Sequence, residues 1–422
     1  MRYIKKTLKN GLRIISVPMP DAATVTILVL VEAGSKYETK RINGVAHFLE
    51  HMCFKGTAKR PAALDISREL DSIGAEYNAY TSQEYTGYYA KSAAKHYGKI
   101  LDIVSDLYLN PTLDEREIEK EKGVVIEEIN MYDDSPSDLV GELYEALLYG
   151  DQPAGWPILG TRESVQLLTR EDISKYRAAH YEPQSTAVIV AGNFDEKKVF
   201  DDLEAAFGGM KPSAKAGKEK VRIDQSEPAL LIKNKDSEQA HLALGVRTFS
   251  VYDKRALPLR LLNVVLSGGM SSRLWHRIRN EMGVAYYVYS SPSFRTDHGD
   301  LTVYAGVDNS RVPEVVAAII EEFRRLLDEP VSDEELQKAK DYYAGQLALA
   351  LESSDEFATF YGHQEIINRE IQKPDDIIKE LQAITADDLR KVANAVFDEA
   401  NLNLALIGRV GDPETLKKLL KI

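Results

Sequence analysis

The chain opens on two short runs of alternating apolar and polar positions separated by Lys9-Asn10-Gly11-Leu12. Asn-Gly tolerates the positive φ that a tight hairpin turn requires, so this start predicts two antiparallel strands. The β-branched run Thr24-Val25-Thr26-Ile27-Leu28-Val29 adds a third strand. The apolar period then lengthens to about 3.6 residues, predicting helices over 62–73, over 92–109 (stopped by Pro111) and over 114–132. Strand-rich and helix-rich blocks interleave without a regular βαβ alternation, which predicts an α+β fold.

The pattern repeats. Thr169-Arg170-Glu171-Asp172 starts a helix that leads to the apolar strand Ala187-Val188-Ile189-Val190-Ala191-Gly192. Thr385-Ala386-Asp387-Asp388 does the same before Asn403-Leu404-Ala405-Leu406-Ile407-Gly408. Thr169 to Thr385 and Gly192 to Gly408 both span 216 residues (385 − 169 and 408 − 192). In a chain of 422 residues this is close to half the length, so two homologous domains are expected: 1–210 and 228–422. Between them, 211–227 begins Lys-Pro-Ser-Ala-Lys-Ala-Gly-Lys-Glu-Lys, with no apolar stripe, and reads as a solvated linker.

Composition narrows the chemistry. A net charge of −13 argues against a chain that binds nucleic acid through its phosphates. The first twenty residues lack the apolar core of a signal peptide, and no stretch approaches the ~20 apolar residues of a spanning helix, so a soluble, cytoplasmic protein with no membrane span is expected. The single cysteine, Cys53, rules out an internal disulfide and a thiolate zinc cluster, and is read as a small buried hydrophobe. A metal would have to sit on His, Glu or Asp.

Those residues converge at Gly44-Val45-Ala46-His47-Phe48-Leu49-Glu50-His51-Met52. On a helix, His47 and His51 share a face, with Glu50 at its edge. Two imidazoles begin a zinc site, and a carboxylate beside them can accept a proton from water activated there. Chance would place H-x-x-E-H in a chain of this composition on the order of 0.01–0.02 times. A third ligand is needed to leave one position open for water, and 121–129 offers candidates: Glu121, Val124, Val125 and Glu128 fall on one helix face, while Glu127 points away. Adding 216 to His47, Glu50 and His51 gives Asn263, Leu266 and Ser267, so the second half has no matching metal motif. The remaining histidines show no ligand spacing and are read as structural.

His47-x-x-Glu50-His51 with Glu128 following 77 residues after His51 resembles the inverted-zincin metallopeptidases, the pitrilysin-like family that includes insulin-degrading enzyme and mitochondrial processing peptidase. The two-half chain is most similar to the processing-peptidase branch. The resemblance implies one Zn²⁺ per chain held by His47, His51 and Glu128, with Glu50 as general base and Glu121 supporting the site. It implies two domains, each a mainly antiparallel sheet packed with helices, closing as a clamshell around peptide or unfolded polypeptide. Phe54-Lys55-Gly56-Thr57 looks like the family's continuation of the metal helix. Asn78, Ala79, Tyr80 and Thr81 resemble its edge strand, onto which substrate adds as a further β-strand.

From the second domain, Arg279 and Tyr286 are similar to the family's Arg/Tyr pair, which reaches the substrate and stabilises charge on the attacked carbonyl. Family members often carry Lys-Arg where this chain has Glu281-Met282. The Gly/Ser loop Leu266-Ser267-Gly268-Gly269-Met270-Ser271-Ser272-Arg273-Leu274 lacks the Walker lysine and is read as a flexible loop beside the chamber. The expected function is thus zinc-dependent endopeptidase action by a homodimer or a heterodimer with an inactive homologue. The alternative is a non-catalytic or partner-dependent subunit on the same scaffold.

Overall fold

In the computed structural model, which describes residues 2–409 and 411–422, the predicted opening hairpin is β1 (Ile4–Thr7) paired with β2 (Arg13–Pro18). They join β3 (Thr24–Val31), β4 (Glu76–Thr81), β5 (Thr86–Ala93) and β6 (Thr186–Gly192) in a sheet of order β1-β2-β6-β3-β5-β4. A second sheet orders β7 (Ala229–Asn234), β8 (Gln239–Thr248), β9 (Ala285–Phe294), β10 (Gly299–Asp308) and β11 (Leu402–Gly408) as β7-β11-β8-β10-β9. Each sheet holds one parallel pair, β2/β6 or β7/β11, and is otherwise antiparallel. Apart from β1, the two strand orders correspond.

The 216-residue repeat reaches the local chemistry. The helix Arg170–His180 starts at Thr169, whose side chain accepts from Asp172 N while Asp172 accepts from Thr169 N. The helix Ala386–Val396 starts on the same reciprocal pair, Thr385 and Asp388. Such a box satisfies two of the backbone donors that a helix start leaves open.

Early helices follow the predicted period with shifted ends: α1 (Val45–Cys53), α2 (Ala63–Asp71), α3 (Tyr97–Leu109), α4 (Glu115–Asp134) and α5 (Pro136–Tyr149). The helix expected from residue 92 begins at Tyr97. Ser92 and Ala93 instead pair with Val25 and Thr24, and sheet pairing prevails over the apolar period there. β3 is almost wholly buried, with α3 and the helix Ser354–His363 both packed on it, which suits its apolar run Ile27–Val31.

The compact units are not the contiguous halves expected. One comprises Met1–Asn130, Trp156–Glu219 and Leu349–Gln372, the other Met131–Gly155, Lys220–Ala348 and Lys373–Ile422. α5 therefore leaves the first half and buries Leu139, Val140 and Tyr144 with Ala243, Ala405 and Ile407 of the second sheet. Reciprocally, the helix Ser354–His363 packs on β3 and β6 of the first sheet, where Gly362 lets it approach Leu30 and Ile189. These segments also obey the repeat, since 136–149 plus 216 is 352–365. The boundary expected at 211–227 is thus one of five junctions. The segment is also less free than a solvated tether: Lys215 pairs with Glu32 and Lys218 with Glu84, both in the first unit. Among the described residues, no helix is long and apolar enough to cross a membrane.

Candidate metal centre

α1 starts at Gly44, whose φ of 93° and closeness to Leu159 O leave no room for a Cβ. The donors at this start are taken by Glu38. Its Oε2 accepts from Gly44 N at 2.8 Å and Asn43 Nδ2 at 2.9 Å, and its Oε1 accepts from Ala46 N at 2.8 Å. Complete burial pushes this carboxyl up to about 8, against the pull of the three donors. No sequence signal marked Glu38, because it lies six residues before the helix start and acts through a loop.

Of the nine residues of α1, all but His51 are buried. His47 Nε2 and His51 Nε2 approach to 3.2 Å. α4 brings Glu128, whose Oε2 lies 3.6 Å from each of these nitrogens. A tetrahedral zinc with ligand bonds of about 2.0–2.1 Å requires ligand atoms about 3.3–3.4 Å apart. The triangle of 3.2, 3.6 and 3.6 Å fits that requirement and leaves the fourth corner without a protein ligand.

Around the triangle, His51 Nδ1 donates to Glu121 Oε1 at 2.8 Å, and Lys55 Nζ reaches the other Glu121 oxygen at 2.6 Å. With its proton held at Nδ1, His51 presents a lone pair at Nε2, toward His47. Burial, helped by the His51 charge, lowers the His47 pKa to about 3, so this imidazole is neutral and able to ligate. Two facing imidazole nitrogens beside a carboxylate are a donor set that a divalent cation satisfies. For His51, burial works downward but the Glu121 hydrogen bond and nearby carboxylates prevail and raise its pKa. For Glu121, burial is outweighed by His51 and Lys55, and its pKa falls. Lys55 was visible in the sequence only as part of a family motif, without a role.

Glu50 is 9% exposed and accepts from Thr81 Oγ1 at 2.6 Å through Oε2. Burial, with Glu128 adding to it, raises its pKa above the usual carboxylate value. Asn78, Ala79, Tyr80 and Thr81 lie on β4, the edge strand of the first sheet.

Arg279 and Tyr286 are in the second unit. Arg279, in the widened helical turn Trp275–Glu281, donates to the carbonyl of Ala285, immediately before Tyr286 on β9. Tyr286 is 66% exposed. The Gly/Ser loop is shaped by packing more than by freedom: Gly268 sits where a Cβ would strike Val264, Gly269 has a φ of 83°, and Arg273 is bidentate to Glu335. Cys53 is fully buried, as expected.

A helix-borne pair of histidines joined by a glutamate from a second helix, on one of two topologically matched α+β units, is the architecture of a metallopeptidase. Residues 13–162 match the insulinase domain of peptidase family M16, and residues 167–343 match the family's inactive domain. The uncharacterized zinc protease YmxG of Bacillus subtilis is 38% identical over 96% of this chain and 98% of its own length. A Streptomyces coelicolor relative, also named an uncharacterized zinc protease, is 35% identical over 97% of this chain and 90% of its own. The crystal structure of a protease from Helicobacter pylori superposes with a TM-score of 0.90 at 25% identity, covering 96% of this chain and 99% of that one. The chain belongs to peptidase family M16 and is a zinc metalloprotease.

Proposed function

We propose that this chain is an endopeptidase that hydrolyses peptides or unfolded protein segments in the manner of a processing peptidase, with one zinc held by His47, His51 and Glu128. The observation that carries this reading is the triangle of ligand atoms, whose edges suit tetrahedral zinc. Zinc in that position supplies Lewis-acid polarisation of a carbonyl and lowers the pKa of water at the site. Glu50 takes the proton from the attacking water and passes it to the leaving amine. Glu121 keeps the His51 proton at Nδ1, and Lys55 keeps Glu121 ionised. Substrate adds as an extended strand along Asn78–Thr81, where backbone hydrogen bonds hold sequences of many kinds. Arg279 and Tyr286 donate to the carbonyl oxygen as it gains charge. Homodimerisation, and action in the cytoplasm, complete the proposal; family resemblance supports the former.

Replacing Glu50 by Gln tests the reading. The variant is expected to bind zinc and to lose cleavage of a quenched fluorescent peptide by at least ~100-fold. Activity at the wild-type rate would refute the assignment. Mass is measured on the same samples. Wild-type protein that holds zinc but cleaves only after a second subunit is added would favour the partner-dependent alternative.

A further inference from the structure

Glu50 is carried by α1, yet its carboxylate accepts a side-chain hydrogen bond from β4. The Thr81 hydroxyl donates to Glu50 Oε2 at 2.6 Å, commits that oxygen, and leaves Oε1 as the oxygen free of this bond. Thr81 is itself restrained. It is the last residue of β4 and pairs across the ladder with Thr86, whose hydroxyl donates to Ala33 O at 2.9 Å and lies 3.5 Å from Thr81 Oγ1. With the Thr86 proton on Ala33, Thr86 Oγ1 is a competing acceptor only at 3.5 Å, and the Thr81 proton goes to the carboxylate at 2.6 Å. β-Branching restricts χ1, so a threonine on a paired strand aims its hydroxyl more narrowly than serine does.

The geometry points to Thr81 as a positioning residue for the general base: the terminal residue of the edge strand fixes the carboxylate of Glu50 in the orientation that proton transfer needs. The inference rests on the reading of Glu50 as base and changes the part Thr81 plays, from a contact for substrate to a partner of the base. It also ties the two functions of the site together. A substrate strand on β4 stiffens the same strand that orients Glu50, so filling the edge and readying the base become one event. A carboxylate free to rotate would spend less time with an oxygen toward the attacking water, and orientation of this kind acts on the chemical step.

The test compares Thr81→Val, which keeps shape and β-branching but removes the hydroxyl, with Thr81→Ser, which keeps the hydroxyl, on the full-length zinc-loaded chain. Partners that orient groups at metal sites are typically worth 10–100-fold in activity. Thr81→Val is therefore expected to lower kcat by about 10–100-fold. KM should stay within about twofold and zinc should remain at one per chain, because a selective loss in the chemical step follows from misorientation. Thr81→Ser is expected to recover most of kcat. A Thr81→Val enzyme with kcat within twofold of wild type, or one whose loss falls on KM or zinc content, would overturn the inference. If Glu50→Gln remains active, the reading of Glu50 as base fails; if Glu50→Gln is dead and Thr81→Val is normal, only the role of Thr81 fails.

Discussion

The candidate metal centre is built from groups whose charge is set by particular neighbours. Glu121 is the clearest: one oxygen takes the His51 proton and the other takes Lys55. A different carboxyl shows burial without such compensation. Asp300, on β10, is pushed up to about 7, chiefly by burial with Glu145 adding to it, while Thr302 Oγ1 donates to it at 2.7 Å. Its folded pKa exceeds its unfolded value, so the folded state binds the extra proton between about pH 4 and 7. The contribution of this group to stability is therefore present below pH 4 and is lost as pH rises through 7. Asp300→Asn removes the titration. Its urea-unfolding free energy should exceed wild type by at least ~1 kcal/mol at pH 8, and the difference should shrink toward pH 4. A pH-independent difference would contradict the assignment.

At the scale of elements, the site depends on how α1 is started and what α4 brings to it. Glu38 closes the start of α1 by accepting from Gly44, Ala46 and Asn43. Glu38→Gln turns one acceptor oxygen into an NH₂ that faces donors. It should destabilise the protein by about 1–3 kcal/mol in urea unfolding, with a weaker hold on zinc in chelator competition. A variant as stable as wild type would mean that water replaces this cap. Helices and strands were legible where one period dominated: β3, α4, and both Thr-Asp capping boxes fall where the sequence put them. Ser92 and Ala93 were not, because a helical period ran on into residues that the sheet claims for its ladder. His47, His51, Glu121 and Glu128 could be seen as faces of two helices. The partners from loops and strand ends, Glu38 and Thr81, could not, since contact across the fold leaves no spacing behind.

For the whole molecule, the duplication was legible and the partition was not. The 216-residue offset holds for strands, caps and the exchanged helices alike. Apolar periodicity says that α5 and the helix Ser354–His363 each have a face to bury, but not that each buries it on the sheet of the other half. The exchange makes the two halves of the chain mutually dependent, since the sheet of each half is covered by a helix from the other. That dependence gives the inactive half a structural role beyond any part it plays with substrate.

His47, His51 and Glu128 are proposed to hold the zinc of this protease. Zinc per chain, measured by inductively coupled plasma mass spectrometry on Glu128→Ala and Glu127→Ala after identical dialysis, tests it residue by residue. One zinc per chain is expected for wild type and for Glu127→Ala, whose side chain is exposed on α4, and a clear loss of zinc from Glu128→Ala, which keeps only two of the three ligands. Full zinc in Glu128→Ala, or loss from Glu127→Ala instead, would contradict it.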